Sequence, residues 1–440
     1  MPKKTLPYPD DLPPLSVGTL RVEVTEGPDA GKATTAQSET LTVGTADGND
    51  AVLTDETVSR YHLELERRDD GVLVRDHGST NGTFSGPVRI QEAIIPPGTP
   101  LRIGRSELRV VEGSVVPVPL HQDDRLGDLR GRSRSMRRLM ARIEKVAGTD
   151  APVLVVGESG TGKELVARAV HDLSARSQKP FVTVDCGALA PNLVASELFG
   201  HERGAFTGAD RQHAGAFERA HGGTVFLDEV GELPRDLQPT LLGALERRNF
   251  RRVGGREEIR VDVRIVAATN RDLRAEVNKG TFRLDLFYRL AVVMLSLPPL
   301  RDRPEDVALL IEHFLSECGH LGGRASLFAD DVLQQLAAHH WPGNVRELRN
   351  LVEATLAMGE VPTDSLMPGL EPSHEDTIPL GGILGQPYKD ARQHVLNEFE
   401  TRYVRHWLDL TDGNVARAAR EARMDRSYLF HLIKRHRLKD

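Results

Sequence analysis

Cysteine is nearly missing from this chain: Cys186 and Cys318 are the only two in 440 residues. That excludes a disulfide framework and suits a reducing compartment. Long apolar runs are missing too. No stretch approaches the ~20 residues that a bilayer-spanning helix needs. The opening MPKKTLPYPDDLPP lacks the apolar core of a signal peptide, so a cytoplasmic protein without a membrane partner is expected. There is no excess of positive charge. Lys and Arg number 57 against 64 Asp and Glu, for a net charge of −7. Nucleic-acid binding is therefore not announced by the whole molecule, although a basic module can hide in an acidic average. No internal repeat is present. What remains is an ordinary soluble composition, 39% hydrophobic and 28% charged, long enough for about two to four domains.

The chain changes character along its length. LRVEVTEG, LTVGTADGND, YHLELERRDDG, GVLVRDHGSTNGT and LRIGRSELRVVEG are short alternating runs broken by turn pairs. They predict an all-β sandwich over 15–113. GSVVPVPLHQDD, with two prolines and no helical period, reads as a linker over 114–125. From Leu126 the strand-like runs PVLVVG, PFVTVDC, GTVFLDE and VRIVAATN alternate with helical stretches. That alternation predicts an α/β unit with a parallel sheet over 126–298. Helical spacing dominates 299–367, and the Pro- and Gly-rich 368–387 reads as a second linker. A helical, terminally basic module is expected over 388–440.

Chemistry enters at GESGTGKE, Gly157 to Glu164. An apolar strand precedes it and a helix follows, which is the setting a phosphate-binding loop requires. Gly157, Glu158, Ser159, Gly160, Thr161, Gly162, Lys163 and Glu164 are the candidate nucleotide contacts. Backbone N–H groups and the helix N-terminus would cradle phosphates, and Lys163 would reach the β- and γ-phosphates of ATP. Glu164 stands where a magnesium-binding Ser or Thr is usual. GGTVFLDEV ends a buried strand in Asp228 and Glu229, a costly arrangement without a partner. Asp228 is placed to hold Mg2+ and Glu229 to polarise the attacking water. VRIVAATN ends in Thr269 and Asn270, which could sense the γ-phosphate.

GESGTGKE, GAFTGA, GGTVFLDEV, FRLDLFYRL and WPGNVREL, in this order, resemble the AAA+ domain of sigma-54-dependent transcriptional activators, the bacterial enhancer-binding proteins. The resemblance covers about Leu126 to Leu366, and Glu164 is itself usual in that family. It implies an ATPase with a helical lid, in which Arg346 of GNVREL contacts nucleotide. Arg283 and Arg289 match arginine-finger positions that reach a neighbouring subunit's ATP, so a homo-oligomer, from dimer to hexameric ring, is implied. An arginine supplied in trans can be worth ~10³–10⁵ in rate. Asp185 stands where the family often has Asn, facing Glu229 with like charge. Gly204, Ala205, Phe206, Thr207, Gly208 and Ala209 would form an exposed loop tip that touches sigma-54 in its RNA polymerase holoenzyme. An aromatic held in water then has a protein as its burial partner.

TDGNVARAAREARMDRSYLFHLIKRHRL carries seven Lys or Arg against two Asp or Glu between Gly413 and Arg437. Two short helices joined by a tight turn predict a helix-turn-helix. The segment resembles the Fis-type domain that binds enhancer DNA, with Arg423 at a turn position usually glycine and Asp425 as helix cap. Arg426, Ser427, Tyr428 and His431 are candidates for base edges or nearby phosphates, and Lys434 and Arg435 for the phosphate backbone. At the other end, SRYH and STNGT resemble the forkhead-associated (FHA) domain, which binds phosphothreonine peptides. Ser59 and Arg60 would lie near phosphate, Thr80 and Asn81 near the peptide, and His62 would pack. The family's Gly-Arg is here Gly44-Thr45, which removes a charged contact worth about 1.5–3 kcal/mol. The implied partner is a phosphothreonine protein or a Ser/Thr kinase, and no receiver domain is visible. Two rivals stay open on sequence: another AAA+ machine, such as an unfoldase, and a DNA-binding regulator with a dead ATPase site. GAFTGA argues against the first, and the intact Lys163, Asp228 and Glu229 against the second.

Overall fold

The computed structural model describes residues 15–36, 39–68, 70–188, 190–320, 327–359 and 361, and a subset of residues between 389 and 436. They fall into two units, divided between Pro362 and Thr363.

The first unit begins with a β-sandwich. Its strands are β1 (Leu15–Glu26), β2 (Ala33–Thr35), β3 (Thr40–Gly44), β4 (Ala51–Val52), β5 (Leu63–Arg68), β6 (Gly71–Asp76), β7 (Thr83–Ser85), β8 (Val88–Ile90), β9 (Glu92–Ile95), β10 (Pro100–Ile103) and β11 (Ser106–Val118). One sheet runs β2-β1-β11-β10-β7-β8 and the other β4-β3-β5-β6-β9. In β5, Leu63 and Leu65 are buried while Glu64 and Glu66 lie nearer the surface. This period of two puts one face on the core. Leu41, Val43, Leu63, Leu65, Val74, Leu101, Leu108 and Val110 fill the space between the sheets. The first linker is shorter than its prolines suggest. β11 continues to Val118 because Val115–Val118 pairs with Leu15–Gly18 at the start of β1.

An α/β domain with a helical lid follows. A hairpin, β12 (Arg125–Leu126) and β13 (Leu129–Arg130), leads into α1 (Arg134–Ala147), β14 (Val153–Val156), α2 (Lys163–Asp172), β15 (Phe181–Asp185), α3 (Pro191–Phe199), α4 (Ala216–Arg219) and β16 (Thr224–Asp228). Next come α5 (Gln238–Arg247), the small pair β17 (Asn249–Phe250) and β18 (Ile259–Arg260), then β19 (Arg264–Thr269), α6 (Leu273–Lys279), α7 (Leu284–Leu290) and β20 (Val293–Ser296). The central sheet is all parallel, in the order β15-β16-β19-β14-β20. Its middle strands, VLVV, TVFLD and RIVAAT, are apolar almost throughout because helices cover both faces. Their carboxyl ends bring Gly157, Asp228 and Thr269 to one edge, where ligands bind in open α/β sheets.

The lid is α8 (Pro304–Glu317), α9 (Asp330–Ala338) and α10 (Asn344–Met358). Buried Asp306 on α8 accepts from Arg132 N, Ser133 N and Ser133 Oγ, which ties the lid to the start of α1.

In the second unit, α11 (Val415–Glu421) and α12 (Arg426–Arg435) pack through Ala418, Ala419, Leu429, Leu432 and Ile433, with Val404 and Leu408 beneath them. Asn414 caps α11 by accepting from Arg417 N at 3.1 Å. The second linker (368–387), Arg423 and Asp425 lie outside the described residues. Among the described residues no helix is long and apolar enough to cross a membrane. Both cysteines are free thiols, Cys186 buried and Cys318 exposed.

Candidate functional site

The phosphate loop leaves β14 and turns into α2. Gly160 and Gly162 have φ of +76° and +107°, a region that side chains avoid. A Cβ on Gly160 would lie 2.3 Å from the Gly343 carbonyl of the lid, so close approach also demands glycine there. Lys163 is buried at the first turn of α2. Its ammonium donates to Gly157 O at 3.1 Å and Glu158 O at 3.3 Å, and lies 3.2 Å from Glu229 Oε1. All three ammonium protons therefore have partners.

Asp228 ends β16 and Glu229 follows it. Glu229 has φ 47° and ψ 47°, an uncommon left-handed geometry for a side-chain-bearing residue and one that gathers at functional sites. Its second carboxylate oxygen accepts from Asn270 N at 3.1 Å. The residues that immediately follow β16 and β19 thus meet at this carboxylate. Burial is the main reason the Asp228 carboxyl is held above the usual range, and the negative charges of Glu229 and Asp185 add to it. A bound cation would relieve that cost. Among the described residues no three His, Cys, Asp or Glu cluster as a complete metal cage.

Asp185, whose charge also bears on Asp228, is tied into its own turn. Its carboxylate accepts from Gly187 N at 2.8 Å and Ala188 N at 3.0 Å, closing its own turn. Burial, then the charges of Asp185, Asp228 and Glu229, push the Cys186 thiol up to about 12. It is therefore an inert packing group.

The lid holds the phosphate loop through side chains that the sequence reading did not single out. Arg301 makes a two-pronged bond to Glu158, at 2.9 and 2.6 Å. Asn344 donates to Glu158 Oε2 and to Ser159 O at 3.1 Å each, and accepts from Leu300 N at 2.8 Å. Arg303 donates to Thr161 O at 3.3 Å. Arg346, which the family resemblance does point to, bonds Ser159 Oγ at 3.1 Å, and its N–H reaches Gly160 O at 3.2 Å. The only signal for Arg301 was its place in LRDRPEDV, and nothing there specifies Glu158.

Arg301 is the first cause of the lowered Glu158 pKa. A depressed carboxyl stabilises the fold above its unfolded value, and that contribution is lost as pH falls through the folded value. Replacing Arg301 with Ala should raise the ATP KM about 10-fold, the cost of one charge-assisted pair, with a smaller change in kcat. The wild-type advantage should fade only at acid pH below the ordinary glutamate range, as Glu158 protonates through its lowered folded value. Steady-state ATPase assays across pH check both.

GAFTGA sits between α3 and α4, at the end of the segment joining the phosphate loop to β16. Gly204 and Gly208, with φ of +79° and +97°, let Gly204 N bond Ala209 O at 2.8 Å and Ala209 N bond Phe206 O at 3.0 Å. The chain is thereby pinched into a tight turn. Thr207 and the two glycines are exposed, Ala205 is half-buried and Ala209 is buried. Phe206 is not the bare aromatic expected. It is half-buried, edge-on to His201 with ring centroids 4.9 Å apart. Arg252 anchors the base of the loop by pairing with Glu202 and Glu218 at 2.9 and 2.8 Å.

Arg283 caps the start of α7, Arg289 lies in its last turn, and both are exposed. Arg283 forms a two-pronged pair with Asp285 at 3.0 and 2.7 Å, and Arg289 donates to Leu245 O at 3.1 Å. In the second unit Arg426, Tyr428, His431 and Lys434 are exposed on α12, which also carries Ser427. Arg435 is held at 3.4 Å from Glu400 and Asn397. Phe430, which the sequence reading passed over, is exposed on the same helix.

In the sandwich, His62 packs as expected: it is fully buried and its ring accepts from Ser59 N at 3.1 Å. Ser59 Oγ accepts from Thr80 N at 3.0 Å, and Asn81 donates to Thr57 O at 2.8 Å. Thr45 N bonds Ser59 O at 3.1 Å, so the threonine in place of arginine lies beside this face. Arg60 points elsewhere: it donates to Val277 O, on α6, at 2.6 Å.

Comparison with known proteins follows the same divisions. Residues 129–296 match the Sigma-54 interaction domain and residues 301–376 the AAA+ ATPase lid domain. Residues 23–114 match the cytoplasmic domain of an inner membrane component of T3SS. The DNA-binding transcriptional regulator NtrC of Azospirillum brasilense is 41% identical over 348 residues, which cover 72% of this chain and 71% of that protein. NtrC of Rhizobium meliloti is 43% identical over 318 residues, and the chain spans 65% of its length. The crystal structure of NtrX from Brucella abortus in complex with ADP is 38% identical, with a TM-score of 0.52 over 71% of this chain and 69% of that one. The chain belongs to the NtrC-like, sigma-54-dependent transcriptional regulators, and its central domain is their AAA+ ATPase.

Proposed function

We propose that this chain activates transcription by hydrolysing ATP in a homo-oligomeric ring and using that work to remodel sigma-54 RNA polymerase at a promoter. The observation that carries the reading is the placement of the pinched GAFTGA turn. It hangs between the phosphate loop and the strand that ends in Asp228 and Glu229. The turn lies between α3 and α4, within the stretch of chain that runs from α2, which begins at Lys163, to β16, which ends at Asp228.

In this reading Lys163 leaves Glu229 for the β- and γ-phosphates of a nucleotide such as the ADP or ATP held in the Brucella relative's complexes. Asp228, with the phosphates, would hold Mg2+, which supplies charge neutralisation at the transferred group. Glu229, released from the lysine, orients and deprotonates water. Arg283 and Arg289 of one protomer would reach the neighbour's nucleotide. α12 would lie in the major groove of enhancer DNA, with Arg426, Ser427, Tyr428, His431 and Lys434 toward the duplex. Arg435, already held by Glu400, adds less. The sandwich would sense phosphothreonine through Ser59, Arg60, Thr80 and Asn81.

The test is direct. Purified full-length protein, ATP and sigma-54 holoenzyme are combined on a template bearing an enhancer and a sigma-54 promoter, and single-stranded bases are mapped with permanganate. Promoter opening that requires both the protein and hydrolysable ATP is the expected result. A promoter that stays closed at saturating, assembled protein overturns the reading.

A further inference from the structure

The candidate phosphopeptide face of the sandwich already has an occupant. Arg60 directs its guanidinium to the carbonyls of Val277 and Asn278, at 2.6 and 3.5 Å. These are among the last carbonyls of α6, where the helix carries its partial negative charge, and Val277 O also accepts from Gly280 N at 3.2 Å. Arg60 therefore acts as a cationic cap on a helix of the ATPase domain.

The contact extends on both sides of that arginine. Asn278 donates to Tyr61 O and to His77 O, the latter at 3.1 Å. His77 Nδ1 lies 2.6 Å from Asp272, the N-cap of α6, and Glu64 pairs with Arg274. Tyr61 is buried, packing edge-on against Phe287 of α7 with centroids 5.3 Å apart. The Tyr288 hydroxyl accepts from Gly48 N at 3.2 Å. Tyr61 and Ala46 belong to the hydrophobic core of the ATPase domain, not to that of the sandwich.

We propose that this loop face is a shared surface: it binds α6 and α7 of its own ATPase domain or a phosphothreonine peptide, but not both through Arg60. The inference rests on the phosphothreonine reading above and adds its consequence. A phosphate dianion is a stronger partner for a guanidinium than a helix carbonyl. With Thr45 where the usual arginine would stand, Arg60 is the cation beside Ser59 that a phosphate would draw on. Capture of the peptide removes the cap from α6 and the anchor from a sandwich seated beside α7, the helix that Arg283 precedes and that carries Arg289. Peptide binding is thereby wired to the surface through which a neighbour would be engaged.

The experiment uses the full chain and an oriented library of phosphothreonine peptides, with its unphosphorylated twin as control. Asn278→Ala and Arg274→Glu weaken docking from the ATPase side and leave the sandwich face untouched. If the docked state dominates at 90% or more, each should bind the phosphorylated library about 10-fold more tightly than wild type. The double variant Glu64→Arg with Arg274→Glu restores the ion pair in reverse and should return binding toward wild type, which simple destabilisation would not do. Equal binding by wild type and both docking variants overturns the competition while leaving phosphothreonine recognition standing. Failure of every variant to prefer the phosphorylated library overturns phosphothreonine recognition, and the competition with it.

Discussion

Replacing Glu229 with Gln is expected to lower ATP turnover by ~10³-fold, within the range for loss of a general base, while nucleotide still binds. Gln keeps the volume and the left-handed backbone of Glu229, so the loss reports the carboxylate rather than the turn. Affinity should rise slightly, because the substitution removes the ion pair that holds Lys163 at 3.2 Å. Incoming phosphates then meet a lysine that is free to move. Lys163→Ala should instead lose binding and turnover together. Phosphate release measured beside titration with a fluorescent nucleotide separates the two variants. Turnover near wild type in either one would remove that residue from the site.

The second large effect concerns coupling. Thr207→Ala deletes a hydroxyl and a methyl from an exposed loop residue, a change that ordinarily moves stability by less than ~0.5 kcal/mol. ATPase activity should stay within about two-fold of wild type, since no bond from Thr207 reaches the phosphate loop. Promoter opening should fall by about 30-fold or more, the size of a contact hot spot. Permanganate mapping and phosphate release on the same preparation provide both numbers. Normal opening by Thr207→Ala would deny the turn its role as the contact.

How much of this could be read without coordinates depended on sequence distance. The phosphate loop was legible because strand, glycines, lysine and helix are contiguous, and the positive φ of Gly160 and Gly162 follows from the loop's shape. Asp228 and Glu229 were legible because two acids ending an apolar strand conflict with burial unless they have work to do. Contacts between remote segments were not legible. Glu158 and Arg301 are 143 positions apart, and Arg60 and Val277 are 217 apart. No local pattern marks such pairs, since nothing in either segment specifies its distant partner. Smaller errors had local causes. Pro117 suggested a linker, yet β11 continues through it opposite β1. Phe206 was placed in water because the string around it is small, whereas His201 comes from outside that string to shelter it.

In the proposed ring, the pairing of Arg283 with Asp285 would bear on how protomers come together. A lone protomer already satisfies this guanidinium with a carboxylate two residues away. A neighbour's triphosphate would therefore exchange one anion for another instead of rescuing an orphan charge. Such an exchange is close to thermoneutral in water and screened by salt. Subunits joined this way can separate and re-form readily, leaving the bound nucleotide rather than the arginine to decide how long each boundary lasts.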